Sequence, residues 1–186
     1  MMHSKEHPEN VDRTVRLRDG ALVRLRPIRP DDEPRLIALV ARLSEKTAYQ
    51  RFFTPLRRLS ADQARYLANV DYRDRYAVVA EPGDGENDLL VGVARYDRGR
   101  SDGAAEIAVV VDDAWQGRGL GAVLVEAILD AAEAQRISFF HADVLLSNHR
   151  MFRLLARHTE IVRRVAQHGV AELTLRRRRV SSETAG

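Results

Sequence analysis

Residues 106–122, EIAVVVDDAWQGRGLGA, bring together the groups in this chain best suited to chemistry. Gly117, Gly119 and Gly121 alternate with other residues where an apolar run gives way to a helix-like one. A strand, a glycine turn and a helix, in that order, suit a phosphate. Glycines let the backbone come close, and the free N–H groups of a first helical turn donate to anionic oxygens. Glu106 is the acid inside the apolar run AAEIAVVV. Strand alternation puts it on one face with Ala108 and Val110, opposite Ile107, Val109 and Val111. Small Ala108 leaves room beside it, and partial burial would make its carboxylate a better base.

Three phosphate-binding templates compete for the glycines. A P-loop needs Gly-Lys-Ser/Thr, but Leu120 and Gly121 follow Gly119. The dinucleotide fingerprint G-x-G-x-x-G/A is met by Gly117, Gly119 and Ala122, with Asp143 as an acidic residue on the next strand. That template wants its first glycine directly after the strand, whereas DDAWQ intervenes. It also wants repeated parallel βαβ units, and this chain supplies one. The third template, Q/R-x-x-G-x-G/A opening a helix, is met by Gln116, Gly119 and Gly121 without a gap. Arg118 adds a charge that can meet a phosphate at the mouth.

The elements around these residues follow from patterning. TVRLRDGALVRLRPI alternates about Asp19-Gly20 and predicts a hairpin with a two-residue turn. Asp31 or Asp32 is expected to cap a helix whose apolar face is Leu36, Ile37, Val40 and Leu43. Ser44 starts a short helix, and Ser60 caps another, ADQARYLANV. RYAVVAEP, DLLVGVARYD and AAEIAVVVDD read as a meander of strands, the first two flanking the turn GDGEN. From Leu120 to Gln135 the apolar residues Leu120, Leu124, Ala127, Ile128 and Ala131 recur at helical spacing. A strand ISFFHADVLL, a helix NHRMFRLLARH and two final strands complete the chain. The predicted class is α/β (α+β): a mixed, mostly antiparallel sheet with one parallel crossover, flanked by helices.

Composition narrows the function. The 186 residues are 45% hydrophobic, enough for one domain with a real core. Residues 13–179 are expected to form it, with flexible tails at 1–12 and 180–186. No apolar run approaches the ~20 residues of a membrane span, and MMHSKEHPEN lacks a signal-peptide core. A cytoplasmic protein without membrane association is expected. The absence of cysteine removes disulfides, thiolate metal sites and a cysteine nucleophile. The six histidines show no metal-ligand spacing, so no metal is expected. His141, alternating with Phe139, reads as a satisfied sheet histidine, and Trp115 as packing for the loop. A net charge of +3 suits an anionic cofactor but does not by itself argue for nucleic acid. The basic patch Arg176–Arg179 reads as a solvated strand end, with RNA association as the alternative.

The run AEIAVVVDDAWQGRGLGAVLVEAIL resembles the acyl-CoA-binding core of the GNAT superfamily of N-acyltransferases. SNHRMFRLLARH resembles that family's next helix, and LRPIRPDDEPRLIALVARLSEKTAYQRFF resembles the branch containing bacterial protein lysine acetyltransferases. The resemblance covers roughly residues 14–178. It implies a splayed strand pair, one strand ending at Val111 and the other starting at Ile137, with acetyl-CoA in the gap. It implies that Val109, Val110 and Val111 offer backbone groups to pantetheine and the thioester. It implies that the loop Gln116, Gly117, Arg118, Gly119, Leu120, Gly121 and Ala122 takes the pyrophosphate, and that Asn148 contacts coenzyme A.

The implied reaction is direct attack of a primary amine on acetyl-CoA in a ternary complex. Glu106 is the implied general base, often acting through water, and a backbone N–H near Val109–Val111 the donor to the oxyanion. Tyr49, Arg51, Phe52 and Phe53 fall where the family walls its acceptor site. The family often carries a tyrosine seven residues after the asparagine as general acid, and that position is Leu155. Its usual Gly-Phe near that helix is replaced by Thr159-Glu160. Coenzyme A thiolate is a tolerable leaving group without an acid, and His149 or Ser147 are the substitutes at hand. The partners expected are acetyl-CoA and an amine acceptor, either a protein lysine or a small molecule, in a monomer or homodimer. The alternative is a non-catalytic acyl-CoA-binding or sensing module.

Overall fold

The computed structural model describes residues 11–83, 88–99 and 103–178. Most of both expected tails, Arg179 and the turn residues 84–87 lie outside these. Strands β1 (Arg13–Arg16) and β2 (Leu22–Pro27) pair antiparallel. Their connection differs from the two-residue turn predicted. Leu17 N donates to Ala21 O at 2.8 Å and Gly20 N to Leu17 O at 3.0 Å, which leaves Arg18, Asp19 and Gly20 as a three-residue loop. Gly20, at φ +88°, takes the left-handed position such a loop needs.

Helix α1 (Glu33–Arg42) follows a short 3-10 turn. Of the two predicted caps, Asp32 holds the N-cap position. Asp32 precedes the helix but makes no side-chain cap bond. Its carboxylate is instead buried against Arg26, at 2.7 Å, and Arg35, at 2.9 Å. Glu81 completes the cluster, 2.5 Å from Arg26 and 2.7 Å from Arg35. Burial opposes ionisation of Asp32 and Glu81, yet the hydrogen bonds from their arginines outweigh it and hold both below the usual carboxylate range. The cluster ties β2, α1 and β3 (Arg75–Pro82) together.

Helix α2 (Glu45–Phe52) begins where Ser44 Oγ accepts from Thr47 N at 3.2 Å. Helix α3 (Ala61–Ala68) has a reciprocal box: Ser60 Oγ accepts from Gln63 N, and Gln63 Oε1 from Ser60 N. Strands β4 (Gly92–Asp97) and β5 (Ala105–Val111) complete the meander. Helix α4 (Leu120–Ala134), strand β6 (Phe139–Leu145) and helix α5 (His149–His158) follow. Strands β7 (Thr159–Gln167) and β8 (Val170–Arg177) end the described chain.

The eight strands form one sheet in the order β1-β2-β3-β4-β5-β6-β8-β7. Every neighbouring pair is antiparallel except β5 with β6, the single predicted crossover. Helix α4 covers one face, against β3, β4 and β5. All five residues of its predicted apolar face are buried, together with Val125, Leu129 and Ala132. Each fully buried leucine or isoleucine there contributes about 1.5–3 kcal/mol. Gly92 makes this packing possible: a Cβ there would stand 2.7 Å from Leu124 Cδ1 and 3.3 Å from Val110 O. Helices α1, α2 and α3 close over the other face, on Val93, Arg95, Ala108 and Val110.

Candidate active site

The site begins where two strands part. Strands β5 and β6 pair only at Ala105 with Phe140 and Glu106 with His141. Beyond that point β5 continues to Val111 and β6 to Leu145 without pairing. A cavity of about 250 Å³ fills the gap, between Ile107–Val109 on one side and Ala142–Val144 on the other. Arg51, Phe52 and Phe53 wall it from α2 and its end; Asn148, Met151 and Leu155 wall it from α5. A second space of about 110 Å³ runs on along Val109, Val110 and Val111 to Gln116, Gly117 and Gly121. The two share Gln50, Arg51, Val109, Asn148 and Met151. A backbone edge without a partner strand is thus exposed to a channel that ends at the glycine loop.

That loop is conformationally special. Gly117 sits at φ +80° and Gly119 at φ +97°, both left-handed, where a side chain is strained. No heavy atom lies within 4 Å of where a Cβ on Gly117 would stand. Gly119 is the N-cap of α4, and Ala122 N and Val123 N both donate to its carbonyl. The amides before Ala122 therefore stand outside the helical ladder, available to an anion.

The side chains of the loop have other tasks than those expected. Gln116 Nε2 donates to Val111 O at 3.1 Å and to Thr47 Oγ1 at 3.2 Å, while its Oε1 accepts from Arg150 at 2.8 Å. It pins the loop to the end of β5 and to α2. Arg118 pairs with Asp19 at 3.3 Å and lies over the Trp115 ring, so its charge is turned to the β1–β2 loop. Leu120 is buried in the core, and any service to a ligand comes from its amide. Arg118, Gly119, Leu120 and Ala122 wall neither space.

Residues that sequence reasoning passed over fix this loop. Asp113 accepts from Ser44 N at 2.9 Å, Ser44 Oγ at 2.7 Å and Thr47 Oγ1 at 2.7 Å. Burial resists its ionisation, but these bonds prevail and lower its pKa from the ordinary value. Asp112 holds Arg42 at 3.1 Å. Only the pair DD between strand and glycines hinted at this, since the partners lie some seventy positions away.

Glu106 occupies the predicted face, opening on the 250 Å³ cavity and also on a third one of about 410 Å³. The expected partial burial is absent: Glu106 is exposed, because it stands at the fork where β5 and β6 separate. Arg51 lines all of these spaces. Desolvation holds its guanidinium below the ordinary arginine range, with the charge of Glu106 pulling the other way. Asn148 is buried and caps α5, its Oδ1 accepting from Met151 N at 3.1 Å.

Leu155, at the position of the family's tyrosine, is buried in the cavity wall. Ser147 and His149 are exposed and wall none of the three spaces. Thr159 starts β7 directly, its Oγ1 donating to Leu155 O at 2.7 Å. Tyr49 also stays outside the walls. In the basic patch, Arg176 pairs with Glu160 at 2.7 Å and Arg177 with Glu133 at 2.7 Å, as a solvated strand end should. Among the described residues no group of acids and histidines is arranged to hold a metal, and no helix is long and apolar enough to cross a membrane.

Known proteins share this architecture. Acetyltransferase Pat of Mycolicibacterium smegmatis is 33% identical over 144 residues, 77% of this chain and 42% of that protein. This chain therefore spans less than half of that relative's length. The crystal structure of the GNAT domain of S. lividans PAT matches with a TM-score of 0.82 at 34% identity, over 91% of this chain and 98% of that one. The structure of yncA from Salmonella typhimurium, with its cofactor acetyl-CoA, matches in fold: TM-score 0.65, 20% identity, 88% of this chain and 96% of that one. A family profile described as an acetyltransferase (GNAT) domain matches residues 23–158, a span that holds the parted strands, the glycine loop, Glu106 and Asn148. The chain belongs to the GNAT acetyltransferase family.

Proposed function

We propose that this protein is an acetyl-CoA-dependent N-acetyltransferase acting on a primary amine by direct attack. One observation carries the reading: β5 and β6 part after Glu106, and the channel between them joins the glycine loop to that carboxylate. The solved relative with acetyl-CoA supports the choice of acyl donor. The acceptor is a protein lysine, as the resemblance to bacterial lysine acetyltransferases supports, or a small-molecule amine, as the cavities beside Glu106 support.

Acetyl-CoA supplies the acetyl group as a thioester. The amides before Ala122 and the positive end of α4 hold its pyrophosphate. Arg118, engaged with Asp19, is at most a reserve charge for it. The edge of β5 that β6 leaves unpaired offers the Val109 N–H and C=O and the Val111 N–H to the pantetheine arm, Val111 O being held by Gln116 and Val110 facing β4, and one N–H receives the charge that develops on the thioester oxygen. Asn148 spends its Oδ1 on the cap, which leaves its amide N–H₂ for the arm. Glu106 takes the proton that the attacking amine must lose, directly or through one water that its exposure admits. The N–C bond forms first, giving a tetrahedral oxyanion, and its collapse breaks the C–S bond and releases the thiolate. With Leu155 in place of an acid, the thiolate takes its proton from solvent.

The test is to mix the protein with acetyl-CoA and a panel of amines and lysine-bearing proteins, and to follow free thiol. Thiol release that depends on an amine is the expected result. Tight acetyl-CoA binding without thiol release from any acceptor would replace this reading with a sensing module.

A further inference from the structure

On the α2–α3 side of the sheet, a cavity of about 410 Å³ opens against Glu106 and Ala108. Its wall carries two guanidinium groups, Arg51 from α2 and Arg95 from β4. Neither takes part in an ion pair among the described residues. Arg95 is only 7% exposed. Its Nη1 reaches Leu67 O at 3.3 Å, but its Nη2 is buried without any hydrogen-bond partner. Asp97, the nearby acid, is already engaged by Arg75 at 3.3 Å and by Tyr66 Oη at 3.2 Å. Burial, with the charges of Arg51 and Arg75 adding to it, pushes the Arg95 guanidinium down to about 10. A desolvated cation with an orphaned donor is costly, and a guanidinium is best satisfied by a carboxylate.

The charge balance defines the missing partner. Three guanidiniums (Arg51, Arg75, Arg95) stand against two carboxylates (Asp97, Glu106), so one positive charge is left over. A monoanion balances it, whereas a dianion would meet repulsion from the two acids. The cavity joins the strand gap at Arg51, Glu106 and Ala108, beside the carboxylate assigned to take the amine's proton.

We propose that this cavity is an acceptor subsite for a carboxylate: the acetylated amine belongs to a small molecule that also carries a carboxylate, an amino acid being the simplest form. Arg95 and Arg51 receive the carboxylate, and Glu106 receives the amine's proton. The assignment rests on the acetyltransferase reading above, and its test is built to separate the two.

Turnover is measured on the full chain with a panel of natural amino acids and their matching amides. In parallel, calorimetry follows binding of N-acetyl amino acids, which needs no reaction. Amino acids should have KM at least about tenfold lower than their amides. Arg95→Gln and, separately, Arg51→Gln should raise KM for the acids and weaken N-acetyl amino acid binding by about 10- to 100-fold, the loss of a charge-assisted bond. Affinity of the Arg95→Gln protein for acetyl-CoA should stay within about twofold, since Arg95 walls neither part of the acyl-donor channel, and circular dichroism reports that each variant is folded. Amides that serve as well as acids, or acids bound equally by wild type and both variants, would overturn the proposal. A lysine-bearing peptide acetylated at a rate indifferent to both arginines would overturn it too, while leaving the acetyltransferase reading intact. If acetyl-CoA does not bind at all, that reading falls, and the calorimetric arm still decides the carboxylate subsite.

Discussion

Gly119 is the residue on which the shape of the glycine loop depends most directly. Its φ of +97° is costly for any side chain, and a Cβ would sit 3.4 Å from the Arg18 side chain. Gly119→Val should therefore twist the first turn of α4 and weaken acetyl-CoA binding at least tenfold, measured by calorimetry on protein that remains folded by circular dichroism. Unchanged affinity would remove the pyrophosphate from this loop. Arg118 was equally visible in the sequence, yet its guanidinium serves Asp19 and Trp115. The contrast is physical. A glycine's role follows from backbone sterics that any turn of this kind shares, whereas an arginine's role depends on which acid the folded chain delivers. Gln116 is the same case, because Thr47 and Arg150 reach it only after α2 and α5 dock. Arg95 gave one signal, a cation inside the apolar run VGVARYD, on the same strand face as Val93. Its orphaned Nη2 could be learned only from the packed interior.

At the scale of elements, patterning located every helix and strand described here, because period and caps are local properties. Ser44 and Ser60 cap as expected, and the apolar stripe of α4 is buried as expected. Asp32 takes the N-cap position but makes no cap bond to α1, because Arg26, Arg35 and the Arg29 N–H hold its carboxylate, and Glu81, which completes the cluster, arrives only from a distant strand. The exposure of Glu106 was also illegible, since alternation assigns a face but not the point at which a neighbouring strand leaves. Gly92 shows how tightly α4 seats on β4. Gly92→Ala should bring a methyl within 2.7 Å of Leu124 and destabilise the fold by about 1–3 kcal/mol. Urea unfolding measures it; a second change, Leu124→Ala, should relieve part of the strain if the contact is its source. A neutral Gly92→Ala would mean that α4 can shift, and the cradle with it.

For the whole molecule, pH is a direct probe of how the parts are held. Burial lowers the pKa of His158 from its ordinary value, so the unfolded chain binds that proton more readily than the native one. Stability should fall as pH drops below about 7. Replacing His158 by Phe should abolish this decline in the urea midpoint between pH 7 and 6. Asp32 and Glu81 have lowered pKa values, so their contribution is present above the ordinary carboxylate range and lost as pH falls below about 5. That second loss should remain in the His158→Phe protein. The same global arrangement makes the functional claim: sheet, glycine loop and α2 converge so that an acyl-donor channel and an acceptor cavity meet at one carboxylate. The measurement that tests this most directly is kcat for Glu106→Gln at saturating acetyl-CoA and amine, alongside its acetyl-CoA Kd. The account predicts a fall of about 10²-fold or more in kcat with Kd within about twofold of wild type. A kcat within about threefold of wild type would contradict it and take the proton-accepting role away from Glu106.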